Sequence, residues 1–166
     1  VSGGRRPRPG GRPDDDGRIT PDPASPPLRT LYARVLLTLG ERVVVANRRG
    51  ASWYFLLGGH VQPGEGVEET LLRVLRRTAG FELRSLDFVG AIEHVYEDGR
   101  PWHQVNIVFA GEVPRYADLG SRVDDIHLVT MPVPALADIE FRPAHLHSMI
   151  TTWLARRRPQ WHGPRH

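Results

Sequence analysis

The chain contains no cysteine, so disulfides, thiolate metal sites and a cysteine nucleophile are excluded. It contains no lysine either. All 22 basic residues are arginine, which removes a Schiff-base lysine and a phosphate-loop lysine from consideration. Abundant Ala, Gly, Pro and Arg read together as the coding bias of a GC-rich genome. No apolar run reaches membrane-spanning length, and the first residues lack the apolar stretch of a signal peptide; the expectation is a cytoplasmic chain without a membrane partner. What remains is 166 residues, 40% hydrophobic and 25% charged, enough for one domain with a sizeable core. The formal net charge of +3 is mild. Much of the excess lies at the ends, in Arg5, Arg6, Arg8 and Arg12 and in Arg156, Arg157, Arg158 and Arg165. No aromatic residues interleave with the N-terminal arginines, so solvated tails are favoured over a nucleic-acid arm.

Residues 1–28 carry almost no large apolar side chain and cannot bury enough surface to offset their ordering entropy; they predict a disordered Gly/Pro/Arg-rich tail. Residues 29–160 form the expected domain and 161–166 a short C-terminal tail. Leu31–Leu39 and Arg42–Asn47 are Val- and Leu-rich runs split by Gly40-Glu41, a strand pair. Trp53–Leu57 is a short aromatic strand, and residues 58–66 a glycine-rich loop with Pro63-Gly64 at a turn. Val67–Thr78 has helical spacing, with Val67, Leu71, Leu75 and Thr78 on one side. Glu68 and Glu69 suit its positive end, and Gly80 follows its last turn. Phe88–Tyr96 and Trp102–Ala110 flank Asp98-Gly99, a hairpin signal. His127–Met131 reads as a strand and Ala144–Arg158 as a closing helix. Strands on both sides of an internal helix, with a second helix at the end, imply a mixed α/β layer sandwich.

Gly58-Gly59-His60-Val61-Gln62-Pro63-Gly64-Glu65, the following helix and Gly80-Phe81 resemble the Nudix box, G-x5-E-x7-R-E-U-x-E-E-x-G-U with U a bulky aliphatic. Gly59, Glu65, Arg73, Leu75 and Gly80 match at the required spacings, and Phe81 takes the final apolar place. The strands around Val89–His94 and His103–Phe109, and Ala137–Pro143 before the last helix, are similar to the family's flanks. The resemblance runs from Leu31 to Arg158. It implies a Nudix-type α/β/α sandwich with a mixed β-sheet, and often a homodimer.

In the family, glutamates of the R-E-U-x-E-E helix hold magnesium or manganese against a diphosphate, since positions i, i+3 and i+4 share a helix face. Here those positions are Val74, Arg77 and Thr78. Gln104 also stands where many relatives have a glutamate. The resemblance therefore implies weak or absent magnesium and manganese binding, with Glu65 the surviving ligand. Arg73 is expected to pair within the loop. Arg77 offers a guanidinium for an anion, with a solvated helix arginine as the plain alternative; Thr78 is a hydrogen-bond donor or an end cap. An Asp98-Gly99 turn would make His94 and His103 cross-strand neighbours, with His60 approaching the same cleft. These three histidines with Glu65 are a candidate transition-metal set, or else acid–base and substrate-binding groups, and Glu93 is the acid expected beside them.

Two functions follow. One is a Nudix-fold protein turned to non-hydrolytic chemistry, biosynthesis included, or to binding a small anionic ligand. The other is a diverged metal-dependent hydrolase of a nucleoside diphosphate-linked substrate, its metal held by Glu65, Glu68, Glu69, Glu93 or Asp98. The expected site residues are Glu65, Glu93, His94 and His103 for chemistry, and His60, Arg73, Arg77, Thr78 and Gln104 for binding.

Overall fold

A computed structural model of the chain describes residues 28–96 and 102–164. The expected N-terminal tail and the Asp98-Gly99 turn lie outside these residues. Nine strands and two helices follow one another as β1 (Leu28–Leu39), β2 (Arg42–Arg48), β3 (Trp53–Phe55), β4 (Gly58–His60), α1 (Val67–Thr78), β5 (Asp87–Tyr96), β6 (Trp102–Glu112), β7 (Ile126–Pro132), β8 (Glu140–Phe141), α2 (His145–Arg156) and β9 (Gln160–His162), with a 3-10 turn at Val133–Asp138. All nine strands join one mixed sheet in the order β8-β3-β2-β1-β6-β5-β9; β4 also pairs with β1, and β7 with β2. β1 runs parallel to β6 over eleven partners, from Leu28↔Trp102 to Thr38↔Glu112. β5 and β6 are antiparallel.

Side chains alternate across a strand, so β1 feeds two cores. Ala33, Val35 and Leu37 pack with Leu71 and Leu75 of α1, while Leu36 packs with Leu146 and Ile150 of α2 on the other face. Being buried on both sides explains the near-continuous apolar run of β1. Leu71 and Leu75 are fully buried, each contributing about 1.5–3 kcal/mol. α1 begins at Gly66, whose N–H donates to Glu69 Oε2 (2.8 Å), so the expected acidic first turn also caps the helix.

Two expectations are corrected. The chain does not leave the domain as a tail after residue 160, because Gln160–His162 pairs in parallel with Gly90–Ile92. The hairpin register also differs from an Asp98-Gly99 two-residue turn. The pairs are Tyr96↔Trp102, Val95↔His103 and His94↔Gln104, which leaves five residues in the connection. That slip of one residue on one strand moves His103 to the opposite face from His94.

Candidate functional site

The box loop is held by one acid and one base. Glu65 receives Arg73 Nε at Oε1 (2.7 Å), while Arg73 Nη2 (3.1 Å) and the Thr70 hydroxyl (2.8 Å) donate to its Oε2. The Gln62 N–H donates to the same oxygen (3.1 Å), and Arg73 Nη2 also reaches the His60 carbonyl (3.2 Å). The Arg73 hydrogen bond, then those from Thr70 and Gln62, hold the Glu65 carboxyl down to about 2 from 4.5. Arg73 is raised in turn by Glu65. Glu65 and Arg73 thus form the staple that closes the loop onto α1.

Along α1 the three remaining box positions differ in burial. Val74 is 8% exposed, and its Cγ2 lies 3.0 Å from where a Cβ on Gly59 would sit, so helix and β4 meet closely at this glycine. Thr78 is buried and its backbone carbonyl accepts from the Arg122 N–H (2.7 Å). Arg77 is exposed.

The expected histidine set does not assemble. His103 Nε2 meets Glu93 Oε1 at 2.5 Å, on the sheet face where α1 packs. His94 lies on the other face, its ring 6.1 Å from that of His145, which stacks 5.2 Å from His162. His60 shares the face of His94 through its partner Tyr32, whose ring it meets edge-on at 4.8 Å. The one-residue register slip is the cause. Among the described residues no three His, Asp or Glu side chains come together in a way that could hold a metal.

The α2-facing side of the sheet instead carries a polar patch. Register aligns His60, Tyr32, Asn106, Ile92 and His162 in one row across five strands, with Thr30, Gln104 and His94 in the next. Arg34 is 2% exposed; its Nε donates to Asn106 Oδ1 (2.7 Å), its Nη1 to the Leu56 carbonyl (3.2 Å), and its guanidinium lies 4.5 Å from the Tyr32 ring centroid. Asn106 is fully buried and Gln104 is 4% exposed. Gln104 is among the expected binding residues; Arg34 and Asn106 are not. An arginine inside the apolar run of β1, and an amide two residues after Gln104 on the same strand face, were the available signals.

No helix of the described residues is long and apolar enough to cross a membrane. The NUDIX domain profile matches residues 28–149. The NAD-capped RNA hydrolase NudC of Pseudomonas entomophila (strain L48) is 37% identical over 59 residues, covering 34% of this chain and 21% of that protein. The match thus spans about a fifth of that relative's length. Among solved structures, a NUDIX hydrolase from Nitrosomonas europaea superposes with a TM-score of 0.65 at 14% identity, covering 79% of this chain and 92% of that one. The mutator MutT protein of Bacillus halodurans gives 0.61 at 13%, over 72% and 80%. The NUDIX domain of Shewanella oneidensis NrtR, complexed with ADP ribose, gives 0.58 at 15%, over 81% and 94%. With a mixed, curled sheet between flanking helices and a family match over most of its length, the chain belongs to the NUDIX domain family.

Proposed function

We propose that this protein uses the Nudix fold to bind an anionic, nucleotide-type ligand, and that its box does not support the family's magnesium-dependent hydrolysis. The observation that carries this reading is the donor set. A hard divalent cation takes oxygen ligands. The three helical positions offer an isopropyl group, a guanidinium and a buried hydroxyl, and both oxygens of Glu65 are already engaged by Arg73 and Thr70. These residues do not fit that cation. Arg77 instead brings a permanent positive charge that suits an anion directly. Expression of the ligand class as nucleotide-type is supported by the ADP ribose bound to one structural neighbour and by the NAD-capped RNA named for the relatives.

The second reading, a retained hydrolase of a nucleoside diphosphate-linked substrate, is favoured by the activities those relatives are named for. One set of measurements separates the two. The first reading expects ADP-ribose or a nucleoside diphosphate to bind in EDTA, with little magnesium-dependent turnover, and Arg77→Ala to weaken that binding about tenfold to hundredfold, the loss typical of one charged hydrogen bond. Robust hydrolysis that EDTA abolishes overturns it in favour of the second.

A further inference from the structure

The turn between β2 and β3 carries two consecutive arginines and is cross-braced by its own backbone. The Ala51 N–H donates to the Arg48 carbonyl (3.0 Å), and Gly50, at φ +80°, takes the place where a type II turn requires a positive φ. The Asn47 side-chain amide donates to the carbonyls of Ala51 (2.9 Å) and Trp53 (2.8 Å). The Arg49 N–H donates to the carbonyl of Asp125, just ahead of β7 (3.0 Å). A third arginine, Arg142, follows β8. Its N–H donates to the Tyr54 carbonyl (2.9 Å), its Nε to Glu140 Oε1 (3.1 Å), and its guanidinium lies 4.8 Å from the Trp53 ring centroid.

These segments enclose a cavity of about 590 Å³, lined by residues 48–53, Asp125 and Arg142. The lining brings three guanidiniums and one carboxylate, a formal charge of +2. Gathering like charges around one hollow costs Coulomb energy that a bound anion returns. A guanidinium carries five N–H donors in a planar fork that fits phosphate oxygens in pairs, and one bond to a carboxylate does not exhaust it. The charge of about −1.5 to −2 on a phosphate monoester near neutral pH answers this lining more closely than the single charge of a carboxylate. The volume falls among small-molecule sites, about 300–1,000 Å³, so the phosphate can carry an organic group. Trp53, the aromatic residue of the lining, is 7% exposed with Arg142 over its ring, and offers little surface on which a base could stack.

We propose that this cavity is an anion site for a phosphomonoester, gripping the phosphate through Arg48, Arg49 and Arg142 and making little use of the group that carries it. None of its lining residues belongs to the box loop or its helix, so the inference stands apart from the reading of Arg77 above.

The test is calorimetric titration of the full chain in EDTA, at fixed ionic strength, with ribose 5-phosphate, AMP, inorganic phosphate and ribose. Ribose 5-phosphate should bind and ribose should not. Arg77→Ala should bind ribose 5-phosphate as the native chain does. In that variant AMP should match ribose 5-phosphate, whereas a stacked base would add about tenfold or more. Arg49 is exposed, so Arg49→Gln should keep the native melting temperature while weakening ribose 5-phosphate about tenfold to hundredfold. Arg142→Gln should weaken it similarly, and Arg48→Gln replaces that variant if loss of the contact with Trp53 lowers the melting temperature. Absence of binding by every phosphate compound overturns the proposal, as does native affinity in Arg49→Gln and the second variant. Binding lost in Arg77→Ala assigns the anion to the box, which overturns this site and supports that reading. Inorganic phosphate binding more tightly than ribose 5-phosphate overturns the ester as ligand.

Discussion

Placing acids on the box helix tests whether side chains at those positions decide magnesium binding. The variant is Val74→Glu, Arg77→Glu and Thr78→Glu together. Val74 is 8% exposed and seated against Gly59, so losing its apolar burial costs about 1.5–3 kcal/mol. Thr78 is 5% exposed, and enlarging it strains a filled site by about 1–3 kcal/mol. Arg77 is exposed, and its exchange should stay within about 0.5 kcal/mol. Without a cation the triple variant should therefore be less stable by roughly 3–6 kcal/mol, a fall of about 10–20 °C in melting temperature. A cation bound to the folded state alone returns about 2.7 kcal/mol at a hundred times its dissociation constant, or roughly 10 °C. The assay is thermal unfolding across a magnesium series at matched ionic strength. The native chain should show a flat response and the variant a rising one. Arg77→Glu with Thr78→Glu, leaving Val74 in place, serves if the triple variant does not fold. The reasoning is refuted if a folded variant gains nothing from magnesium, or if the native chain gains as much.

Two further outcomes follow from the staple and the sheet edge. The Glu65 carboxyl sits at about 2 in the folded chain against 4.5 ordinarily, so its ionised form stabilises the fold at pH above about 4.5, and that contribution is lost as pH falls through about 2. Glu65→Gln should accordingly lower the melting temperature near neutrality, and the gap from the native chain should close on acidification; a gap independent of pH would contradict this. Gly90 has φ +152°, and a Cβ there would stand 2.2 Å from the Gln160 carbonyl oxygen, so the paired β9 backbone would have to shift. Gly90→Ala should destabilise by about 1–3 kcal/mol and release β9, visible as faster amide exchange at residues 160–162; unchanged protection there would refute the claim.

How far the sequence could be read depended on whether a feature was local. α1 was legible to the residue because its stripe, its acidic first turn and the glycine after its end are all set within Val67–Gly80. β4 was not, since Gly58-Gly59-His60 looks like loop until β1 supplies hydrogen-bonding partners from Tyr32 to Arg34. β9 was missed for the same reason: three residues after α2 become a strand only because β5 presents an edge and Gly90 lets the two backbones come close. The histidine set failed on one residue of register. A two-residue turn and a five-residue connection use the same Asp-Gly signal, yet they put His103 on opposite sides of the sheet.

The parts of the box that the chain retains are the parts the fold uses. Gly59 admits α1 close to β4, Glu65 and Arg73 close the loop, Leu75 fills the core beneath it, and Gly80 turns the chain at φ +73°. Each has a structural partner in this molecule, so each is explained without any ligand. At the other three places of the pattern stand Val74, packed against the site of Gly59, Thr78, which is buried, and Arg77, which is exposed. A sequence pattern therefore reports two separable things, a scaffold and the chemistry mounted on it, and a strong match in the first says nothing about the second.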